Sequence, residues 1–272
     1  MPSPPGVRGV TRIPRPGLGT SGAEGETCTR SVEAALEMGY RHVDTAQMYD
    51  NERAVGDGIA RSSVDREEVF LATKVHPDNL APEDVRETTT ESLERLGVDR
   101  VDLLYVHWPI RAYEPSETLP AFDDLRAAGA TEAVGVSNFS PDLLAEAVEL
   151  LDAPVLANQF ECHPLLPQAE LRSACADHGA TPVAYAPVLQ GEADEVPELR
   201  EVADRHDATP AQVSIAWLLE KGTVPIPKGT GDHVRENWAA RDLSLTDEDV
   251  RTIDGIDRRR RLVDPDPAPW NR

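Results

Sequence analysis

Residues 133–159 read AVGVSNFSPDLLAEAVELLDAPVLANQ, and this stretch holds the fold in miniature. A short apolar run, 133–137, ends at Ser137 and Asn138. A stretch with helical spacing, 141–150, opens on Pro141, whose fixed φ suits a first helical turn. A second apolar run, 155–159, ends on Gln159. Strand, helix and strand in this order make parallel strands joined by a helical crossover. The same unit recurs in both directions. Strand-like runs lie at 41–44, 69–74, 101–107, 181–185 and 224–227, with a weaker one at 15–19. Helix-like stretches lie at 27–38, with Thr27 as capping residue and Gly39 as stop, and at 82–96, with Pro82 near the start and Gly97 after the end. Others lie at 167–178 and 210–221, with weaker ones at 51–60, 117–128 and 232–240.

Eight such units compete between a doubly wound open sheet and a closed (β/α)8 TIM barrel. About 250 residues for eight units fits the barrel. No composition shift marks a boundary, so 1–272 is expected to be a single barrel domain, ending in an extra helix at 246–256 and a polar tail with Pro265, Pro267 and Pro269. Barrel active sites lie at the C-terminal ends of the strands. The residues that end these runs are Asp44, Lys74, His107, Ser137 with Asn138, Gln159, Tyr185 and Lys228, with Tyr49 in the loop after Asp44.

Composition narrows the partners. The 272 residues carry 27 basic and 49 acidic side chains, a net charge of −22. That charge repels phosphate backbones and anionic lipid, so neither a nucleic acid nor a membrane is an expected partner. The basic run Arg258, Arg259, Arg260 and Arg261 is flanked by Asp254, Asp257 and Asp264 and is expected to be solvated and self-neutralised. Lysine occurs only at 74, 221 and 228. An acidic, lysine-poor surface suits molar salt, where a Debye length of ~3 Å removes most self-repulsion; a halophilic origin is the expectation, with an acidic protein of a GC-rich genome as the alternative. Cys28, Cys162 and Cys175 have no CxxC spacing, which predicts no disulfide framework and no metal site. The first residues, MPSPPGVRG, show no apolar signal core, and no apolar run reaches the ~18 residues of a membrane span, so a cytoplasmic location is expected.

Arg cannot lose its proton, whereas Lys offers a compact ammonium with a tunable pKa. Two of three lysines at strand ends in a chain that otherwise uses Arg therefore point to chemistry. Singly, each rim residue has a plainer reading: Asp caps helices, His satisfies structural bonds, Tyr packs, and Lys snorkels. Asp, Lys, His and Tyr on one rim form an acid–base cluster.

The residues spell a known pattern. Gly39-Tyr40-Arg41-His42-Val43-Asp44-Thr45-Ala46 with Tyr49, Asn51-Glu52 and Gly56 resembles the first signature of the aldo-keto reductases. Ala72-Thr73-Lys74-Val75 and Val106-His107-Trp108-Pro109 resemble that family's lysine and histidine segments. Gly135-Val136-Ser137-Asn138-Phe139, Asn158-Gln159-Phe160-Glu161-Cys162-His163-Pro164, Ala184-Tyr185-Ala186-Pro187 and Ile226-Pro227-Lys228 follow in family order. The resemblance runs from about residue 13 to 256 and is nearest to the short prokaryotic members, which reduce keto acids, keto sugars and small aldehydes.

The resemblance implies NAD(P)H-dependent reduction of aldehydes or ketones, with Asp44, Tyr49, Lys74 and His107 as catalytic residues. Tyr49 is the expected proton donor, its phenol (ordinary pKa ~10) made more acidic by the Lys74 ammonium. Asp44 holds Lys74 charged, and His107 polarises the substrate oxygen. The implied cofactor is NADP(H) or NAD(H). Gly17-Leu18-Gly19 is too short for a dinucleotide fingerprint. Tyr185 stacks on the nicotinamide, and Ser137, Asn138 and Gln159 bind its carboxamide. Thr20, Lys228 and Thr230 belong to the cofactor set, with Lys228 and the following helix N-terminus on the phosphates, and Glu236 and Asn237 lie at the adenine positions. His233 falls where the family places an Arg on the ribose 2′-phosphate, and Asp232 adjoins it, so NADPH preference is expected to be weak and NADH usable. Ser21, His76, His107, Trp108 and Trp270 form the expected substrate rim. His76 and Ser21 replace larger aromatics, which predicts a smaller, more polar pocket. The partner is then a small carbonyl compound, bound by a monomer or, alternatively, a dimer. Two rival readings are a non-catalytic cofactor-sensing barrel and a Schiff-base aldolase using Lys74. The first has no need of all four groups, and the second needs a neutral lysine, which Asp44 opposes.

Overall fold

The computed structural model describes residues 12–271. Strands and helices alternate along the chain as β1 (Leu18–Gly19), α1 (Gly25–Met38), β2 (His42–Asp44), α2 (Glu52–Arg61), β3 (Phe70–Val75), α3 (Pro82–Leu96), β4 (Val101–Val106) and α4 (Pro115–Ala127). The second half follows with β5 (Thr131–Ser137), α5 (Pro141–Leu150), β6 (Val155–Glu161), α6 (Ala169–Asp177), β7 (Thr181–Tyr185), α7 (Pro197–His206), α8 (Pro210–Glu220), β8 (Val224–Pro225), α9 (Asp232–Ala239) and α10 (Asp247–Asp254). The strands pair in parallel in chain order from β1 to β8. Gly17 and Gly19 then donate to the carbonyls of Pro225 and Pro227, both at 3.0 Å, and Gly19 bridges Lys228, which closes the barrel. Pro225 and Pro227 bring no N–H of their own to this seam. A Cβ on Gly19 would lie 2.6 Å from the Ile226 carbonyl, so the close approach of β1 to the β8 segment needs glycine there.

Two apolar layers follow from strands covered on both faces. Phe70, Ala72, Leu103, Tyr105, Ala133, Val183, Val224 and Ile226 fill the barrel. The alternate residues, such as Leu71, Leu104, Val134 and Val136, pack outward on the helices. Large and small side chains interlock inside: Tyr105 pairs in register with Gly135, where a Cβ would meet the Tyr105 ring at 2.7 Å.

The sequence reading needs corrections at several elements. Helix α1 starts two residues before Thr27 and is capped at Glu24 without a side-chain bond. Gly39 (φ 118°) and Gly97 (φ 67°) do end α1 and α3 in the left-handed region. Helix α7 has no counterpart in the sequence reading, which passed directly from the 181–185 strand to 210–221. The arginine run finds ion-pair partners beyond its flanking acids: Arg258 pairs with Glu198 on α7 (2.5 Å) and Arg260 with Glu192 (2.6 Å), while Asp254 binds Lys221 and the Trp217 indole. No described helix is long and apolar enough to cross a membrane.

Gly56 sits where α2 crosses the end of α3, and a Cβ there would lie 2.2 Å from the Leu96 carbonyl. Backbone on both sides leaves nothing to yield. Gly56→Ala is therefore expected to cost about 1–3 kcal/mol of stability, the usual range for overpacking, read as a lower urea midpoint with an unchanged slope.

Candidate active site

The end of β2 delivers Asp44, and the chain then makes one tight turn, Gln47–Tyr49, which Asp50 closes in the left-handed region (φ 51°). That turn brings Tyr49 back over the strand ends. Asn51 locks it by donating to the carbonyls of Thr20 (2.8 Å) and Ala23 (3.0 Å) and accepting from the Thr45 hydroxyl (2.8 Å). Glu52, 2% exposed, accepts from Thr73 (2.6 Å) and Arg95 (2.8 Å), tying α2 to β3 and α3. The Asn51-Glu52 pair of the sequence motif thus builds the floor beneath Tyr49.

Lys74 points inward from β3 and is fully buried, as is Asp44 at 1% exposure. Its ammonium donates to Asp44 Oδ1, to the Thr45 carbonyl (2.9 Å) and to Tyr49 Oη (3.3 Å), which uses all three protons. The other Asp44 oxygen accepts from Gln159 Nε2 at 2.8 Å. Burial works to deprotonate Lys74, but the Asp44 carboxylate and the Tyr49 oxygen outweigh it and hold its pKa above the ordinary lysine value. Because Tyr49 accepts from Lys74, its own O–H is left to face the cavity.

Tyr49 does not show the acidity expected from sequence. Burial raises its pKa, Lys74 lowers it, and Asp44 raises it again, for a net upward shift. Desolvation wins because the phenol oxygen sits at the bottom of an apolar mouth, and depth in the barrel is invisible in sequence. His107 ends β4 with its ring edge-on to Tyr49, centroids 5.8 Å apart. Burial, then the Lys74 ammonium, then His76 hold its pKa well below the ordinary value, so the imidazole is neutral. Its buried Nδ1 has no hydrogen-bond partner.

These groups face a cavity of about 400 Å³ at the C-terminal end of the barrel. Thr20, Ser21, Asp44, Tyr49, His107, Trp108, Asn138, Gln159, Tyr185 and Lys228 line it, with Thr20 and Lys228 adjacent at the β1–β8 seam. Lys74 lies beneath them, behind Asp44 and Tyr49. Ser137 is 1% exposed and reaches the cavity only through Asn138, whose Nδ2 donates to Ser137 Oγ (3.0 Å) and the His107 carbonyl (3.1 Å). Asn138 Oδ1 accepts from the Tyr185 hydroxyl at 2.8 Å, which fixes that ring on the wall. The left-handed backbone at Asn138 (φ 64°) turns its amide toward these partners.

The remaining sequence candidates stand off the wall. His76 caps the turn at Pro77–Asn79 through its Nδ1, and Pro77 takes the wall position instead. Trp270 packs against Trp108, centroids 5.7 Å apart, one layer outside. Thr230, His233, Glu236 and Asn237 belong to α9 and the loop before it. Asn237 Nδ2 donates to the Lys228 carbonyl (3.4 Å), and His233 Nδ1 pairs with Glu236 Oε2 (3.0 Å). Lys228 makes no ion pair with a described residue and lines the cavity as a free ammonium.

Sequence reasoning missed part of the wall: Met48, Ile110, Arg111, Val188, Val263 and Pro265. Ile110 and Arg111 directly follow the His107-Trp108 rim and were within reach of the strand-end rule; Val263 and Pro265 carry no local signal. With these side chains the mouth is mostly apolar.

The Aldo/keto reductase family model matches residues 17–258. The chain belongs to the aldo/keto reductase family. It is 38% identical over 261 residues to an aldo-keto reductase of Mycolicibacterium smegmatis (95% of this chain, 94% of the relative). It is 37% identical over 258 residues to methylglyoxal reductase DkgB of Escherichia coli O157:H7 (93% of this chain, 97% of the relative). Among solved structures, MGS-M4, an aldo-keto reductase from a Medee basin deep-sea metagenome library, superposes with a TM-score of 0.89 at 34% identity, covering 93% of this chain and 94% of that one. This aldo-keto reductase is therefore an oxidoreductase acting on carbonyl groups, in a family that generally draws on NAD(P)H.

Proposed function

We propose that this reductase converts small aldehydes and ketones to alcohols, with Tyr49 as proton donor and Asp44, Lys74 and His107 completing the catalytic set. The observation that carries this reading is the Lys74 ammonium with all three protons committed, one of them to Tyr49 Oη at 3.3 Å. A dihydronicotinamide, when bound, would be the source of the hydride. The protein's part is the oxygen. Tyr49 presents its O–H to the carbonyl oxygen, and the phenolate left after proton transfer is stabilised by Lys74, which Asp44 keeps charged. Neutral His107 donates one N–H to the same oxygen and orients it. Lys74 in this setting is no Schiff-base nucleophile, because its raised pKa keeps it protonated.

The donor set fits a nicotinamide dinucleotide. Tyr185, pinned by Asn138, offers a flat face, Gln159 offers an amide beside Asp44, and Thr20 and the free Lys228 ammonium flank the opposite end for phosphate. Asn237 steadies the Lys228 loop. His233 pairs with the Glu236 carboxylate and adjoins Asp232, a set that would hold a ribose 2′-phosphate less well than an Arg would. NADPH preference is thus expected to be weak and NADH usable. Absorbance loss at 340 nm across a cofactor-by-aldehyde matrix tests both points. Turnover of methylglyoxal and similar aldehydes is expected, and a kcat/KM ratio above ~1000 in favour of NADPH would contradict the cofactor reading, since it needs about 4 kcal/mol of discrimination. A 400 Å³ cavity that must also admit the nicotinamide leaves room for a small substrate. The methylglyoxal reductase among the relatives agrees with that size.

The surface charge supports adaptation to high salt, and the three free, buried cysteines suit a reducing, cytoplasmic compartment. The urea midpoint is expected to rise between 0.1 M and 3 M KCl as self-repulsion is screened; an equal midpoint would remove the halophilic reading.

A further inference from the structure

We propose that Glu161 is a positioning residue that anchors the C-terminal tail and thereby sets the substrate wall of the cavity. The inference rests on the reading of that cavity as the carbonyl site. Gln159 and Glu161 stand two residues apart on β6, so their side chains share the inward face, Gln159 at the Asp44 level and Glu161 one step nearer the mouth. Glu161 is fully buried. A carboxylate there needs strong donors, and the tail supplies them. Oε1 accepts from the Leu262 N–H at 2.7 Å and Oε2 from the Val263 N–H at 2.8 Å, across about a hundred residues of sequence. His163 Nε2 bonds Oε1 at 2.9 Å and completes the shell.

The anchored point adjoins the site. Val263 and Pro265 line the cavity, and Trp270 ends on Trp108. The tail has other fastenings: the Arg260 N–H donates to the Leu165 carbonyl at 3.0 Å, Arg261 lies over the Trp270 ring, and Arg258–Glu198 and Arg260–Glu192 are partly exposed ion pairs, worth little in water. The two charge-assisted bonds to the buried Glu161 carboxylate are the ones made beside the cavity wall, and they hold backbone, so they fix where the tail runs there whatever side chains it carries. Glu161 shares its motif with Gln159 but is itself left unused by the chemistry, and no hydrogen bond joins it to Tyr49 or Lys74.

The test uses the full chain with Glu161→Gln, which keeps shape but opposes an NH2 to one of the two amides. Two readouts are taken. Trypsin cleavage after Arg258–Arg261 is expected to accelerate at least tenfold, with the rest of the chain as resistant as before. The KM for a bulky aldehyde, phenylglyoxal, is expected to rise at least fivefold, with kcat and the KM for NADPH within twofold. Leu262→Pro removes the donor to Glu161 Oε1 at a residue off the cavity wall and is expected to reproduce both effects, with cleavage read after Arg258, Arg259 and Arg260, which keeps the proposal testable if Glu161→Gln does not fold. Unchanged cleavage in either folded variant overturns the anchor. Faster cleavage with an unchanged phenylglyoxal KM, or a fall in kcat alone, overturns the link to the substrate wall. Neither result bears on the proton donor, whose failure would show as retained turnover in a Tyr49 variant.

Discussion

Tyr49→Phe is expected to lower kcat/KM for aldehyde reduction about 10³-fold, within the range that general acids contribute, and to leave NADPH binding within twofold. That loss corresponds to about 4 kcal/mol of transition-state stabilisation. The variant removes one oxygen and keeps the ring that lies edge-on to His107 and 4.9 Å from Lys74 Nζ, so packing survives. What disappears is the proton aimed at the cavity. His107 still polarises the carbonyl, which accounts for a residual rate. Steady-state rates at 340 nm and cofactor titration by protein fluorescence check the two halves separately; near-normal turnover would refute the assignment.

Lys74→Met carries the second large effect, and it acts on two properties at once. Activity is expected to fall at least 10²-fold, because the phenolate loses its counter-charge while burial and Asp44 still oppose its formation. Stability is expected to fall by about 3–5 kcal/mol, the cost of leaving a buried carboxylate without its partner. Asp44 would retain the Gln159 amide but no cation. Adding Asp44→Asn removes the stranded charge, so the double variant is expected to regain most of the urea midpoint and none of the activity. Recovery of both would mean that the pair matters for folding alone. In the single variant any alkaline limb of the reduction profile is expected to move to higher pH, since the proton donor has lost the one group that lowered its pKa.

The rim was legible because barrel strands leave a strong trace. Each is covered on both faces, so it reads as an apolar run, and the first polar residue after it is the one that reaches the mouth. Asp44, Lys74, His107, Gln159 and Tyr185 all end such runs. Helix α7 escaped because the stretch before it, Glu192 to Glu195, is acidic and short in apolar residues, although Leu199, Val202 and Ala203 do bury a face. His76 was misplaced by one position: its backbone bends into a turn that gives the wall to Pro77.

Sequence alone determined the alternation of elements, the barrel, and the identity of the acid–base cluster, because these depend on periodicity and on residues adjacent in the chain. Tertiary structure decided the rest. The upward shift of the Tyr49 pKa depends on burial depth, which sums contributions from every strand. The partners of Arg258 and Arg260, and the hold of Glu161 on Leu262 and Val263, join segments far apart in the chain. Hydrogen bonds and ion pairs act over a few ångströms of space, and no local pattern in the sequence records which distant segment will come within that reach.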